Sequence, residues 1–254
     1  MFNNRNGEFL MGYLHALITL LSAVVFFLLG LPAGLVILIT GLFSKAAAER
    51  MSYAFVRFGL RLVSAVSGSR VTVQGWENIP KDRPVLFVAN HRSIFDVILF
   101  FPKLPGRTVV IAKKELSKIA PLRFWMKRIH TIFLDRTDIK AGVQMVQDSV
   151  NYLKNGYNVL IFPEGTRSKK EGEFLPFHGG SFKIAIRSGA PVVPVTIIGT
   201  GDIFEDHFPK LKAKKVTVII SPPIETQGMP IAERKTLPER CRDLMMQNYT
   251  GGRA

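Results

Sequence analysis

Two short stretches carry side chains that can move a proton or grip an anion. The first is Asn90-His91-Arg92-Ser93-Ile94-Phe95-Asp96. His91 follows the apolar run Val85 to Ala89, which reads as a buried strand, and precedes the apolar segment Val97 to Phe100. It falls where a strand ends and a helix starts, and open α/β sheets bind ligands beyond the carboxyl ends of their strands. Histidine suits proton transfer near neutral pH. An aspartate five residues on, Asp96, can hold the imidazole in one tautomer, as hydroxyl activation requires. The same spacing recurs at His130 and Asp135, but that segment reads as a strand, where residues an odd number apart face opposite ways. Ser93 and Asp96 also fit a capping box, so a purely structural role for the aspartate competes with a catalytic one.

The second stretch is Phe162-Pro163-Glu164-Gly165-Thr166-Arg167-Ser168. It too follows an apolar run and is expected at the same sheet edge as His91. Gly165 permits close backbone approach, and Thr166 and Arg167 offer the donors that phosphate takes. Asp135-Arg136 closes a third apolar run and brings a second guanidinium, and Lys113 ends a fourth. Taken singly, such residues are ordinary surface charges. Metal chemistry is not indicated, because the five histidines are scattered and the chain has one cysteine. There is no Gly-x-Ser-x-Gly elbow for a nucleophilic serine. No cofactor is implied.

The elements that must position these residues are short and β-branched. Strands are expected at 71–73, 85–89, 109–112, 131–134, 159–162, 192–198 and 216–220. Helices are expected from Ile94, over 140–153 and over 181–187, with a last helix entered through the capping-box spacing of Thr236 to Glu239. Strands alternating with helices make an α/β domain, with a largely parallel or mixed sheet of about seven strands and flanking helices.

From Phe9 to Ser44 there is no Asp, Glu, Lys or Arg. The run is long for one bilayer crossing and interrupted by Gly30, Pro32 and Gly34, which suggests a helical hairpin bent there. It exceeds the apolar core of a cleaved signal and reads as a retained anchor. Beyond it, Met51, Phe55, Phe58, Leu62 and Val66 recur at helical spacing, with Arg50, Arg57 and Arg61 on another face, as in a basic amphipathic helix. Residues 1–67 are thus expected to anchor the chain and residues 68–254 to form the α/β domain. Basic and aromatic residues also interleave from Lys118 to Arg128, in the manner of either a membrane interface or a buried aromatic patch. The formal net charge of +15 points to polyanionic surroundings. With an anchor present, an anionic membrane and a phosphorylated substrate account for it, and no nucleic-acid-binding motif is seen. One cysteine fits a reducing compartment, and positive charge after the apolar run favours the cytoplasmic face of the inner (plasma) membrane.

The motifs at 90–96, 132–136 and 162–168, with Val193-Pro194-Val195, resemble the four ordered motifs of the glycerolipid acyltransferases. They look most like those of the bacterial 1-acylglycerol-3-phosphate acyltransferases, over about residues 70–220. The resemblance implies transfer of an acyl chain from acyl carrier protein (acyl-ACP) or acyl-CoA to lysophosphatidic acid, making phosphatidic acid. It makes His91 the general base and Asp96 its orienting carboxylate. It places Arg136, Glu164, Gly165, Thr166 and Arg167 at the acceptor's glycerol phosphate, Lys113 near the reacting carbonyl, and Pro194 beside the acyl chain. Two positions depart from the family pattern. His130 stands where glycine is usual, and Phe177-His178-Gly179-Gly180 replaces Phe-Lys-Lys-Gly. Other acceptors, glycerol-3-phosphate or a lysophospholipid, remain alternatives, as does a non-catalytic basic membrane-binding protein.

Overall fold

Each of the seven short apolar runs forms a strand. In the computed structural model, which describes residues 3–252 and side chains from Leu10 onward, these are β1 (Arg70–Gln74), β2 (Leu86–Ala89), β3 (Thr108–Lys113), β4 (Ile132–Leu134), β5 (Asn158–Ile161), β6 (Val192–Ile198) and β7 (Lys215–Ile220). They make one mixed sheet in the order β1-β7-β6-β2-β5-β3-β4. Strands β6, β2, β5, β3 and β4 are parallel, with Val88 aligned to both Ile161 and Pro194, while β7 runs antiparallel to β6. The carboxyl ends of β2, β5, β3 and β4 therefore share one edge.

The chain divides into two compact units. The second comprises residues 73–92, 105–198 and 217–254 and holds most of the sheet. Every residue of β2 and β6 is buried, as expected of strands covered on both faces. Helices α4 (Ala120–Arg128), α5 (Ile139–Lys154), α6 (Gly179–Ser188) and α7 (Ile231–Gly251) belong to this unit. Its core joins Leu86, Val88, Val109, Val159 and Ile161 of the strands to Val146 and Val150 of α5, Phe182 and Ile184 of α6, and Leu237, Cys241 and Met245 of α7. Helix α7 starts five residues before the expected capping box and runs through Pro238. Met229 and Pro230 supply carbonyls to the Arg234 side chain and amide, which fixes the earlier start. In α4 the Trp125 ring is buried edge-on against Phe124, and Arg128 lies 5.2 Å over the Phe124 ring.

The first unit comprises residues 1–72, 93–104 and 199–216 and holds α1 (Asn3–Phe43), α2 (Lys45–Val66) and α3 (Phe95–Phe100). The bend expected at Gly30, Pro32 and Gly34 does not form, and α1 continues through Pro32. Proline removes one rung of the hydrogen-bond ladder, whereas ending the helix would strand about eight backbone groups in an apolar stretch. The chain turns instead at Ser44, whose hydroxyl accepts the Ala47 N–H at 3.2 Å and caps α2. The hairpin is thus α1 against α2. Phe26 stacks on Phe55 at 5.0 Å, and its ring occupies the space a Cβ on Gly59 would need.

The buried face of α2 is Ala48, Ser52, Tyr53, Val56, Gly59 and Val63, while Met51 and Phe58 of the expected apolar stripe are exposed. Two of the expected basic-face residues are engaged within this unit, Arg57 donating to the Leu104 carbonyl and Arg61 to that of Pro102. On the buried face, Gly59 is the position where a close approach, that of the Phe26 ring, leaves no room for a side chain. Leu10–Phe43 is long and apolar enough to cross a membrane.

Candidate active site

Of the residues singled out from sequence, His91, Lys113, Arg136 and Glu164 to Arg167 end or follow the parallel strands β2, β3, β4 and β5 at their shared carboxyl edge. In the second unit, β2 delivers Asn90 and His91. The Asn90 side chain donates to the Ile197 carbonyl at 2.9 Å and accepts the Ile197 N–H at 2.7 Å, so it continues the sheet where the strand stops. That fixes the path of the backbone into His91. The His91 N–H donates to Glu164 Oε1 at 2.7 Å, and its carbonyl accepts the Ser168 N–H at 2.9 Å. Its ring stacks on Phe162 with centroids 4.2 Å apart. The histidine is therefore gripped at its peptide and at one ring face by the stretch that follows β5.

Glu164 is 3% exposed, and its second oxygen accepts the Leu175 N–H at 2.9 Å. Both oxygens accept backbone amides, which ties the loop after β5 to the His91 peptide. Gly165 has φ +70°, a backbone state that favours glycine, and a Cβ there would stand 3.1 Å from His178 Nε2. His178, the departure noted above, thus lies directly against the Gly-Thr-Arg turn. Thr166 and Arg167 are exposed.

Beyond β3 and β4 lies a second cluster of charge. Lys113 pairs with Glu115 at 3.3 Å, and Lys114 donates to Asp135 at 3.2 Å. The Thr137 hydroxyl and amide, followed by Lys114, hold the Asp135 carboxyl down to about 2. Partial desolvation lowers the Arg136 guanidinium from its ordinary value, and the charge of Glu115 opposes that. Asp135 is thus committed to its own turn. His130 packs on Tyr152 and Tyr157 with φ +59°, which explains why glycine suits this position.

Asp96 belongs to the first unit and is fully buried. Its Oδ2 accepts the Ser93 N–H at 2.9 Å, the backward reach of the expected capping box, and its Oδ1 accepts the Thr200 hydroxyl at 2.5 Å. Ser93 Oγ in turn donates to Glu205 and accepts the Phe95 N–H, and Glu205 also takes the Ile94 N–H. Thr200 and Glu205 carried no signal in the sequence, because each reaches its partner across more than a hundred residues.

The sequence signature of the family described as Acyltransferase matches residues 70–198, which includes every one of these motifs. The chain belongs to the acyltransferase family. Among its relatives, the 1-acyl-sn-glycerol-3-phosphate acyltransferase alpha of Bos taurus is 30% identical over 194 residues, covering 75% of this chain and 67% of the relative. The 1-acyl-sn-glycerol-3-phosphate acyltransferase of Borreliella burgdorferi is 26% identical over 198 residues, covering 78% and 79%. In structure, the chain is similar to the crystal structure of the 1-acyl-sn-glycerophosphate (LPA) acyltransferase PlsC of Thermotoga maritima. The TM-score is 0.81 at 28% identity, over 96% of this chain and 97% of that one. That likeness extends to nearly the whole of this acyltransferase, well beyond the span of the family signature.

Proposed function

We propose that this acyltransferase moves an acyl chain from a thioester, carried by acyl carrier protein or coenzyme A, to the free hydroxyl of 1-acylglycerol-3-phosphate, giving phosphatidic acid. The observation that carries this reading is the grip on His91 at the carboxyl edge of the sheet. Its peptide is bound on both sides by the loop that also presents Gly165, Thr166 and Arg167. A glycerol hydroxyl is a poor nucleophile until a base removes its proton. His91 takes that proton as the oxygen attacks the thioester carbonyl, the thiolate leaves, and the proton passes on to it. General-base help of this kind is worth about 10²–10⁴-fold in rate.

Asp96 is assigned the role of holding the imidazole, on the strength of the motif. Arg136, Thr166 and Arg167 bind the acceptor's phosphate, and Gly165 lets the backbone approach it. Glu164 serves the same subsite by fixing the loop. Clamping the phosphate sets the hydroxyl beside the base, where orientation gains arise. Lys113 lies toward the thioester carbonyl, and Pro194 borders the acyl chain. Residues 1–67 anchor the protein to an anionic membrane, with residues 68–254 carrying the chemistry on its cytoplasmic face. The net charge and the apolar helix α1 support that placement.

Thiol release from acyl-ACP and from acyl-CoA by detergent-purified protein, with and without 1-acylglycerol-3-phosphate, tests the reading beside His91→Ala. Acceptor-dependent release that yields phosphatidic acid and falls at least about 10²-fold in the variant is expected. Equal release by the folded variant would remove His91 from the chemistry.

A further inference from the structure

We propose that Tyr249, near the end of α7, is a positioning residue for His91, acting through a buried clamp formed with Glu171 and Arg92. The inference rests on the acyltransferase reading of His91 and adds to it a part of the chain that lies beyond the family signature.

Both groups that hold the His91 peptide, the Glu164 carboxylate and the Ser168 amide, sit in residues 162–178, which contain no helix or strand. An irregular stretch of that length does not hold its own shape to the fraction of an ångström that proton transfer needs. The restraint comes from outside it. Arg92, the residue next to His91, donates from Nη1 to the Ser168 carbonyl at 3.3 Å. Its Nε lies 3.5 Å from Glu171 Oε2, in an ion pair whose side chains are only 8% and 17% exposed. The other oxygen of Glu171 accepts the hydroxyl of Tyr249.

Helix α7 adds two further holds on the same loop. Arg242 donates to the Phe174 carbonyl at 2.9 Å, and the Tyr249 ring meets Phe174 edge-on with centroids 5.6 Å apart. At Gly172, with φ +82°, the backbone passes so close that a Cβ would stand 3.3 Å from the tyrosine ring. His91, Arg92, Glu164, Glu171 and Tyr249 all line one cavity of about 10 Å³, roughly the room one water needs. A buried ion pair is weak evidence of stability for its own sake, since desolvation offsets most of its attraction. One placed beside a catalytic base, bridging it to the carbonyl of Ser168, fits the task of fixing geometry.

The clamp is tested by Tyr249→Phe, which keeps the ring and removes only the hydroxyl, and by Glu171→Gln and the double variant. Turnover is normalised to folded protein. Each single variant is expected to lose about 10- to 100-fold in kcat while the acceptor KM moves less than about twofold. The double variant should be no worse than the weaker single one, as for residues acting as a unit. Hydrogen exchange supplies a readout independent of activity, with the His91 and Ser168 amides losing protection in Tyr249→Phe. Should that variant fail to fold, Glu171→Gln carries the same two readouts. Wild-type kcat with unchanged protection of those amides would overturn the proposal, as would a loss confined to melting temperature. Failure of the activity reading shows separately, as a wild-type protein with no His91-dependent turnover.

Discussion

Glu164 Oε1 accepts the backbone N–H of His91 at 2.7 Å, and Oε2 accepts that of Leu175 at 2.9 Å. A carboxylate in the middle of the Pro-Glu-Gly-Thr-Arg stretch is therefore turned inward, where its charge meets peptide dipoles. Charge-assisted bonds to two amides are among the stronger that a loop can make.

Glu164→Gln leaves one acceptor where two are needed, and its new NH₂ must face the N–H of either His91 or Leu175. The expected cost is about 1–3 kcal/mol of stability, as for a buried donor left unmatched. A kcat loss of about 10-fold or more should accompany it. Urea unfolding and steady-state turnover measure the two together, and near-normal turnover in folded protein would count against the role given to this carboxylate.

Thr200 is the hydroxyl partner of Asp96, and both are fully buried. Thr200→Val keeps the shape and deprives a buried carboxylate of a donor, at an expected cost of about 1–3 kcal/mol. Thr200→Ser keeps the donor and gives up only one buried methyl, an expected cost of about 1 kcal/mol and less than that of the valine variant. Equal denaturation midpoints for the valine and serine variants would be the contrary result.

At Gly165 two costs combine. Alanine is strained at φ +70° by about 1–2 kcal/mol, and its Cβ meets the His178 imidazole. Gly165→Ala should melt earlier and raise the acceptor KM. Adding His178→Ala should recover the steric part and not the backbone part. Full recovery in the double variant would show that the left-handed conformation is dispensable there.

Cys241 is fully buried, and desolvation pushes its thiol up to about 12. The stability this group contributes is whole below the ordinary thiol value near 9. Above that value the unfolded thiol ionises while the folded one does not, so the contribution is lost as pH climbs through about 12. A maleimide is expected to leave the native protein unmodified at pH 8 and to label it rapidly in denaturant. Urea midpoints should fall more steeply between pH 8 and pH 10 than in Cys241→Ala. Fast native labelling would place the thiol elsewhere than in the core.

The strands were readable because each leaves a short β-branched run between turns, alternating in burial along the antiparallel β7 and almost continuously buried along the parallel β2, β3, β5 and β6. Their parallel direction then places His91, Lys113, Arg136 and Glu164 at one edge. The course of α1 was not readable in the same way. Gly30, Pro32 and Gly34 break helices in water, and their effect on a ladder with no competing partner has to be seen. Hydropathy alone did not show which face of α2 meets α1, where Gly59 and Ser52 turn inward while Met51 and Phe58 stay exposed. Tyr249 and Glu171 meet across 78 residues, and no local pattern announces such a pair.

Both outermost strands of the sheet are short, β1 with five residues and β4 with three. Little unpaired backbone is left on either flank to template a second chain, and the charged Arg70 blunts one of them further. The tendency of this protein to self-associate outside a membrane therefore resides in α1, where Leu31, Leu42 and Phe43 are each more than 70% exposed. An amphiphile that coats Leu10–Phe43 should keep the preparation dispersed, and charges added to the sheet's margins would bring no further gain in solubility.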